Sequence, residues 1–113
     1  LATAFNPMIQ IFRPISPIAW IPVAILSTAE FDAPALVNKT SVTFGRIGTE
    51  SSLAFCSSED VNADGHLDLV CHFYSQQTAF HDGDTEGILK GLTVSGTPLK
   101  GMDSIRIVPG ATR

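Results

Sequence analysis

Residues 59 to 68 read EDVNADGHLD, which places oxygen-bearing side chains at Asp60, Asn62, Asp64 and Asp68 around one glycine, Gly65. This is the chemistry of a hard cation site. Calcium takes six to eight oxygens at roughly 2.3 to 2.6 Å, and a loop supplies them when such side chains recur at every second position before a sharp turn. Counting from Asp60, the first, third and fifth positions are Asp60, Asn62 and Asp64. Gly65 then permits the turn, His66 offers its backbone carbonyl, and Asp68 offers a carboxylate, directly or through water. An EF-hand would close this shell with a bidentate Glu where Cys71 stands, and helices would flank its loop. Here the flanks SLAFC and DLVCHFY alternate with the period of strands. The expectation is therefore a Ca2+ loop on a β-hairpin, holding the chain together rather than sensing. The competing reading is a solvated acidic turn.

A second acidic run, HDGDTEG, presents Asp82, Asp84 and Glu86 at alternate positions between Gly83 and Gly87. It is a candidate second metal site or a donor to the first, set against a solvated turn. Cys56 and Cys71 lie on either side of the first loop, and neither has a close cysteine neighbour to make a zinc knuckle or a redox pair. If residues 58 and 69 pair across the hairpin, the two sulfurs also face each other. A disulfide there closes a loop of about sixteen residues and is worth about 3 kcal/mol; two buried thiols are the alternative. His66, His72 and His81 have no metal-ligand spacing, and no serine sits on a nucleophile elbow. Trp20 and Tyr74 are the candidates for sugar stacking, although core packing is the commoner fate of a tryptophan at a strand edge.

The elements that must position these residues are short. A chain of 113 residues fits one domain. Hydrophobic residues make up 44% of it, enough for a packed core rather than disorder. The charged fraction is only 16%, which suggests that neighbouring domains or identical subunits cover part of the surface. A net charge of -4 without a basic stripe argues against nucleic acid. The most apolar stretch, Ile18 to Leu26, is too short for a transmembrane segment and contains Pro22.

Alternation marks strands at NPMIQIFRP, WIPVAILST, TSVTFG, SLAFC, LDLVCHFY, TEGILKGLTVSG and DSIRIV. Val42 shares a face with Phe44, and Leu53 with Phe55; Leu67, Leu69, Cys71 and Phe73 line one side of the clearest strand, while Val70, His72 and Tyr74 take the other. In DSIRIV, Ile105 and Ile107 point the same way. Asp32 and Pro34 are placed to start one helical turn. Seven or eight such strands, punctuated by Gly, Pro, Asn and Asp, predict an all-β antiparallel β-sandwich, Ig-like or jelly-roll-like, with a calcium-binding hairpin loop. Residues 1–17 are expected to be an extended N-terminal segment, an edge strand or one exchanged with a neighbour, and 18–113 the single sandwich domain.

The phrase DVNADGHLD resembles the strand-loop-strand calcium hairpin of FG-GAP repeats and, more loosely, the first half of a dockerin loop. Together with IPVAIL, SVTFG, GDTEG and the ending G-x-D-S-I-R-I-V, it resembles a widespread module of secreted bacterial and archaeal proteins. Those modules occur in multidomain surface chains beside adhesion or carbohydrate-active domains. The resemblance implies a secreted or cell-surface location and the calcium hairpin, and carries no activity with it. The leading expectation is a non-enzymatic structural or adhesion module, one form of which is a filament subunit of a homopolymeric surface assembly. A carbohydrate-binding module using Trp20 or Tyr74 is the alternative, and a hydrolase built on Asp82 to Glu86 a third.

Overall fold

The computed structural model describes residues 7–11 and 20–105. Seven strands, one α-helical turn and a 3-10 turn at Ser75–Gln77 are found there: β1 Ile9–Ile11, β2 Trp20–Ile25, α1 Ala33–Leu36, β3 Val37–Gly45, β4 Leu53–Glu59, β5 Asp68–Tyr74, β6 Glu86–Thr93 and β7 Pro98–Ser104. They form two antiparallel sheets, one of four strands in the order β1-β2-β5-β4 and one of three in the order β3-β6-β7. The architecture is a generic β-sandwich. No helix among the described residues is long and apolar enough to cross a membrane.

The core is what the period-two alternation puts between the sheets. Ile21, Val23 and Ile25 of β2 and Leu69, Cys71 and Phe73 of β5 face Val42 and Phe44 of β3, Leu89 of β6 and Leu99 of β7. Phe44 and Phe73 meet across the layers with ring centroids 5.0 Å apart, and Phe80 packs on Phe44 at 5.7 Å. Burying an aliphatic or aromatic side chain of this size contributes about 1.5 to 3 kcal/mol. Pro22 is tolerated in β2 near its start, as a missing amide there requires.

Ile9, Gln10 and Ile11 pair with Ile25, Ala24 and Val23, so this part of the N-terminal segment is an edge strand on its own chain's sheet. It also reaches the opposite sheet. The Ile11 N–H donates to Asp103 Oδ2 at 3.0 Å. A Cβ on Gly101 would lie 2.7 Å from Ile9 Cγ2 and 3.2 Å from the Pro7 carbonyl, so glycine is what lets β1 close against β7. The remainder of 1–17, the proline-rich stretch up to Ala19, Ile107 and the chain end from Pro109 lie outside the described residues.

Three local expectations are corrected. Leu67 is 55% exposed, because β5 begins at Asp68 and Leu67 still belongs to the loop. Leu53 and Phe55 do not share a face: the β4 to β5 register shifts between them, so Leu53 pairs with Phe73 but Phe55 pairs with His72. An extra residue in one strand of an antiparallel pair does this. Leu53 and Cys56 then both pack on the core, and Phe55 is sent to the outside. Finally, Asp32 precedes α1 but its side chain makes no cap hydrogen bond. The Ala33 N–H donates instead to Ser27 Oγ at 2.8 Å.

Beyond Ser58 and Leu69 the hairpin keeps the register that sets Cys56 opposite Cys71. The two are joined as a disulfide, with Cα atoms 3.9 Å apart. The far end of the hairpin is held by Asp68, which is fully buried. Its Oδ1 accepts from the Ser27 N–H at 2.8 Å and its Oδ2 from the Val61 N–H at 3.0 Å. Ser27 Oγ donates to the Leu67 carbonyl at 2.7 Å. Replacing Asp68 with Ala leaves one buried and one part-buried N–H donor without partners and is expected to cost about 2 to 4 kcal/mol, whereas Asp68→Asn, which keeps one acceptor, costs less. Urea unfolding of the three proteins, with equal denaturant slopes, checks the order. In the same assay Cys56→Ala/Cys71→Ala is expected to lose about 3 kcal/mol.

Candidate functional site

The 60 to 68 loop is shaped from within by its first carboxylate. Asp60 Oδ2 accepts from the Gly65 N–H at 2.9 Å and Oδ1 from the Asp64 N–H at 3.2 Å. Asp64 Oδ1 in turn accepts from the His66 N–H at 2.9 Å. These bonds wind the chain so tightly that Gly65 takes a φ of 87° and Ala63 a φ of 58°. The left-handed region costs a non-glycine residue roughly 1 kcal/mol, which the bonds to Asp60 offset. Desolvation pushes the Asp60 carboxyl upward, but the N–H groups of Gly65, Asp64, Ala63 and Asn62 outweigh it and hold the carboxyl below its ordinary value.

The Asn62 side-chain amide lies 3.1 Å from Asp60 Oδ1 and 3.1 Å from Asp64 Oδ1. An amide presents two chemistries to such a pair. With its nitrogen inward it donates to both carboxylates, and the loop closes on itself. With its oxygen inward, three oxygens from Asp60, Asn62 and Asp64 converge, an arrangement that a cation between them compensates. Each carboxylate keeps acceptor capacity beyond its backbone bonds. The nitrogen-inward orientation satisfies all three side chains without an ion, and among the described residues no group of three or more His, Cys, Asp and Glu gathers here; Asp60, Asn62 and Asp64, with the His66 carbonyl the next oxygen along the chain, are the residues that would hold a hard cation. Asp68 stands apart, its two oxygens engaged by Ser27 and Val61 beneath the loop. Its carboxylate is an anchor for the loop's base.

The second acidic run is built differently. Asp84 Oδ2 accepts from the His81 N–H at 2.7 Å and pairs with Arg46 Nε at 3.1 Å. The His81 N–H lowers the Asp84 carboxyl, desolvation works against it, and the Arg46 charge adds to the lowering. This exposed pair is worth little to stability. Asp82 and Glu86 are exposed. Among the described residues no group of three or more His, Cys, Asp and Glu side chains gathers in metal-holding geometry. Asp82, Asp84 and Glu86 are thus not united with one another or with the first loop.

A groove of about 830 Å³ lies beside the first loop, lined by Gly65, His66 and Leu67 on one part and by Glu30, Phe31 and Asp32 on another. The 28 to 31 turn that shapes it is closed by backbone bonds between Thr28 and Phe31.

The structure also joins the two aromatic residues singled out by sequence. Trp20 and Tyr74 are register partners on β2 and β5. Trp20 is 52% exposed and Tyr74 41%, so neither enters the core. Phe55, turned outward by the bulge and 43% exposed, comes within 5.3 Å of Trp20 between centroids. His72 stacks on Phe55 at 4.4 Å with an interplanar angle of 13°. Alternation alone hides Phe55 from this group, because only the one-residue shift at Ala54 brings it to the outer face.

No family model, curated protein or solved structure matches this chain.

Proposed function

We propose that this chain is a non-enzymatic extracellular module, a β-sandwich of Ig-like or jelly-roll-like kind whose hairpin loop is stapled by Ca2+. Its role is structural or adhesive, in a secreted or cell-surface chain, with adjacent domains or identical subunits as partners. The observation that carries the reading is the convergence of the Asp60, Asn62 and Asp64 side chains. Oxygens brought this close repel one another unless a proton donor or a cation lies between them.

The metal reading joins to the rest of the fold through Asp68. The residues that would hold the ion sit on a loop whose base is anchored by a buried carboxyl and whose strands are cross-linked by Cys56–Cys71. Calcium binding then selects the folded loop and adds to stability by linkage, about 2.7 kcal/mol at a hundred times the dissociation constant. A disulfide and a calcium-stabilised loop both suit an oxidising, calcium-rich exterior. The low charged fraction of 16% suits a surface partly covered by its neighbours in a surface assembly.

Thermal unfolding with excess EDTA and with millimolar calcium tests this. The midpoint of the wild type is expected to rise in calcium and that of Asp64→Ala to stay where it is. A calcium shift of equal size in both proteins, or in neither, is incompatible with the reading. Size measured on the same samples reports assembly: growth with calcium supports polymerisation into a filament.

Acid provides a second check. The folded-state pKa of Asp60 is lowered, so its contribution is present above the unfolded carboxylate value of about 3.9 and lost as pH falls through the folded value. In EDTA, the wild type is expected to unfold at a higher temperature than Asp60→Asn near neutrality. That gap should close as the pH drops below about 4; a gap that persists at full protonation excludes Asp60's charge as its source.

A further inference from the structure

We propose that the outer face of the four-stranded sheet is a binding site for a neutral polysaccharide, held by Trp20, Phe55, His72 and Tyr74. The proposal does not depend on calcium, since the loop and this face lie at opposite ends of β5: Glu59 pairs with Asp68 at the loop, and Trp20 with Tyr74 at the other end.

Four rings are brought from three strands onto one surface. Trp20 meets Phe55 at 5.3 Å and 73°, His72 at 6.0 Å and 67°, and Tyr74 at 6.1 Å and 81°. Edge-to-face contacts of this kind are individually favourable and hold each ring in one orientation. Their exposure is nevertheless large, and burial of three such rings would be worth several kcal/mol. A chain that leaves them in solvent forgoes that stabilisation, so the face reads as a site rather than as misplaced core.

The chemistry of the face selects the ligand. By strand alternation, this side of β2, β4 and β5 also carries Pro22, Ala24, Ser57, Glu59, Asp68 and Val70; Ala24, Asp68 and Val70 are buried, so the open part is the end around the four rings, and neither Lys nor Arg is among these residues. The described residues of this face thus offer no cation to hold a phosphate backbone or an anionic polymer. The rings carry a negative π-face, which attracts the polarised C–H groups on the flat side of a pyranose. Because neighbouring rings stand nearly at right angles to Trp20, a sugar laid on one ring meets the edge of another. Polar tips are also present: the indole N–H and the phenol O–H. His72 Nδ1 is buried, with no hydrogen-bond partner among the described residues, so His72 serves the face as the ring on which Phe55 stacks.

Area argues against a protein partner. The three exposed rings present about 300 Å², well short of the roughly 800 Å² per partner of a stable protein interface. A few sugar rings need no more than this strip.

Trp20 is the sole tryptophan, so its emission reports directly on the face. The folded protein is run in native gels containing soluble β-glucan, xylan or galactomannan, with polygalacturonate as the anionic comparison, and titrated by fluorescence with whichever neutral polymer retards it. The expected result is retardation by at least one neutral polymer with a shift in Trp20 emission. Trp20→Ala and Tyr74→Ala should each weaken binding by about ten-fold, equal to 1.4 kcal/mol, with circular dichroism unchanged. Phe55→Ala should weaken it as well, while Met102→Ser on the other sheet leaves it intact. Retention of Tyr74→Ala at full affinity overturns the proposal even if Trp20→Ala fails to fold. So do retardation by polygalacturonate alone, no retardation by any neutral polymer, or a concentration-dependent dimer that Tyr74→Ala abolishes in polymer-free buffer.

Discussion

A buried carboxyl group organises one end of this sandwich. Asp68 has no exposed surface, and it offers its oxygens to two backbone N–H groups from different parts of the chain, Ser27 just after β2 and Val61 at the start of the acidic loop. Ser27 extends the network by donating its hydroxyl to the Leu67 carbonyl and accepting from Ala33, the first residue of α1. Burying such a group is costly unless every bond is made. Because they are made, the strand ends, the helical turn and the base of the loop are fixed relative to one another. The loop that could hold an ion therefore rests on a rigid floor.

The hairpin has a second constraint at its middle. The Cys56–Cys71 bridge lies between the Asp68 anchor and the Ala54 irregularity, so the register on either side is pinned independently. The bulge allows β4 to turn Leu53 and Cys56 inward while Phe55 goes out. Bulges re-aim side chains next to functional sites and also blunt an exposed sheet edge. In β4 both effects coincide, because this strand is the edge of its sheet and its outward ring completes the aromatic face. Two faces of one strand pair thus do different work: the inner one makes core, and the outer one makes a surface with recognisable chemistry.

Much of this arrangement was legible along the chain. The alternation of Leu69, Cys71 and Phe73 specified a core strand, the pairing of residues 58 and 69 placed the cysteines opposite each other, and the density of turn residues specified short strands in a sandwich. Such patterns are readable because a strand has a two-residue period and the core demands apolar side chains on one side of it. Asp68 was readable only by type. As the ninth residue of an oxygen-rich loop it looked like a ligand, and nothing in its neighbours along the chain indicated that Ser27, distant in sequence, would claim one of its oxygens.

The sequence by itself determined which oxygen-bearing side chains the loop carries and which cysteines pair, since both depend on spacings within one hairpin. Tertiary structure decided which sides those residues face. A bulge inserts a single residue and reverses alternation from that point, so Phe55 joined Trp20, His72 and Tyr74 outside the core through a shift with no composition of its own. The partners of Asp84 in the second acidic run likewise come from tertiary structure, where Arg46 and the His81 backbone N–H engage it. Local patterns can specify what a strand or a loop is able to do; the partners that engage it come from other strands, and only packing brings them together.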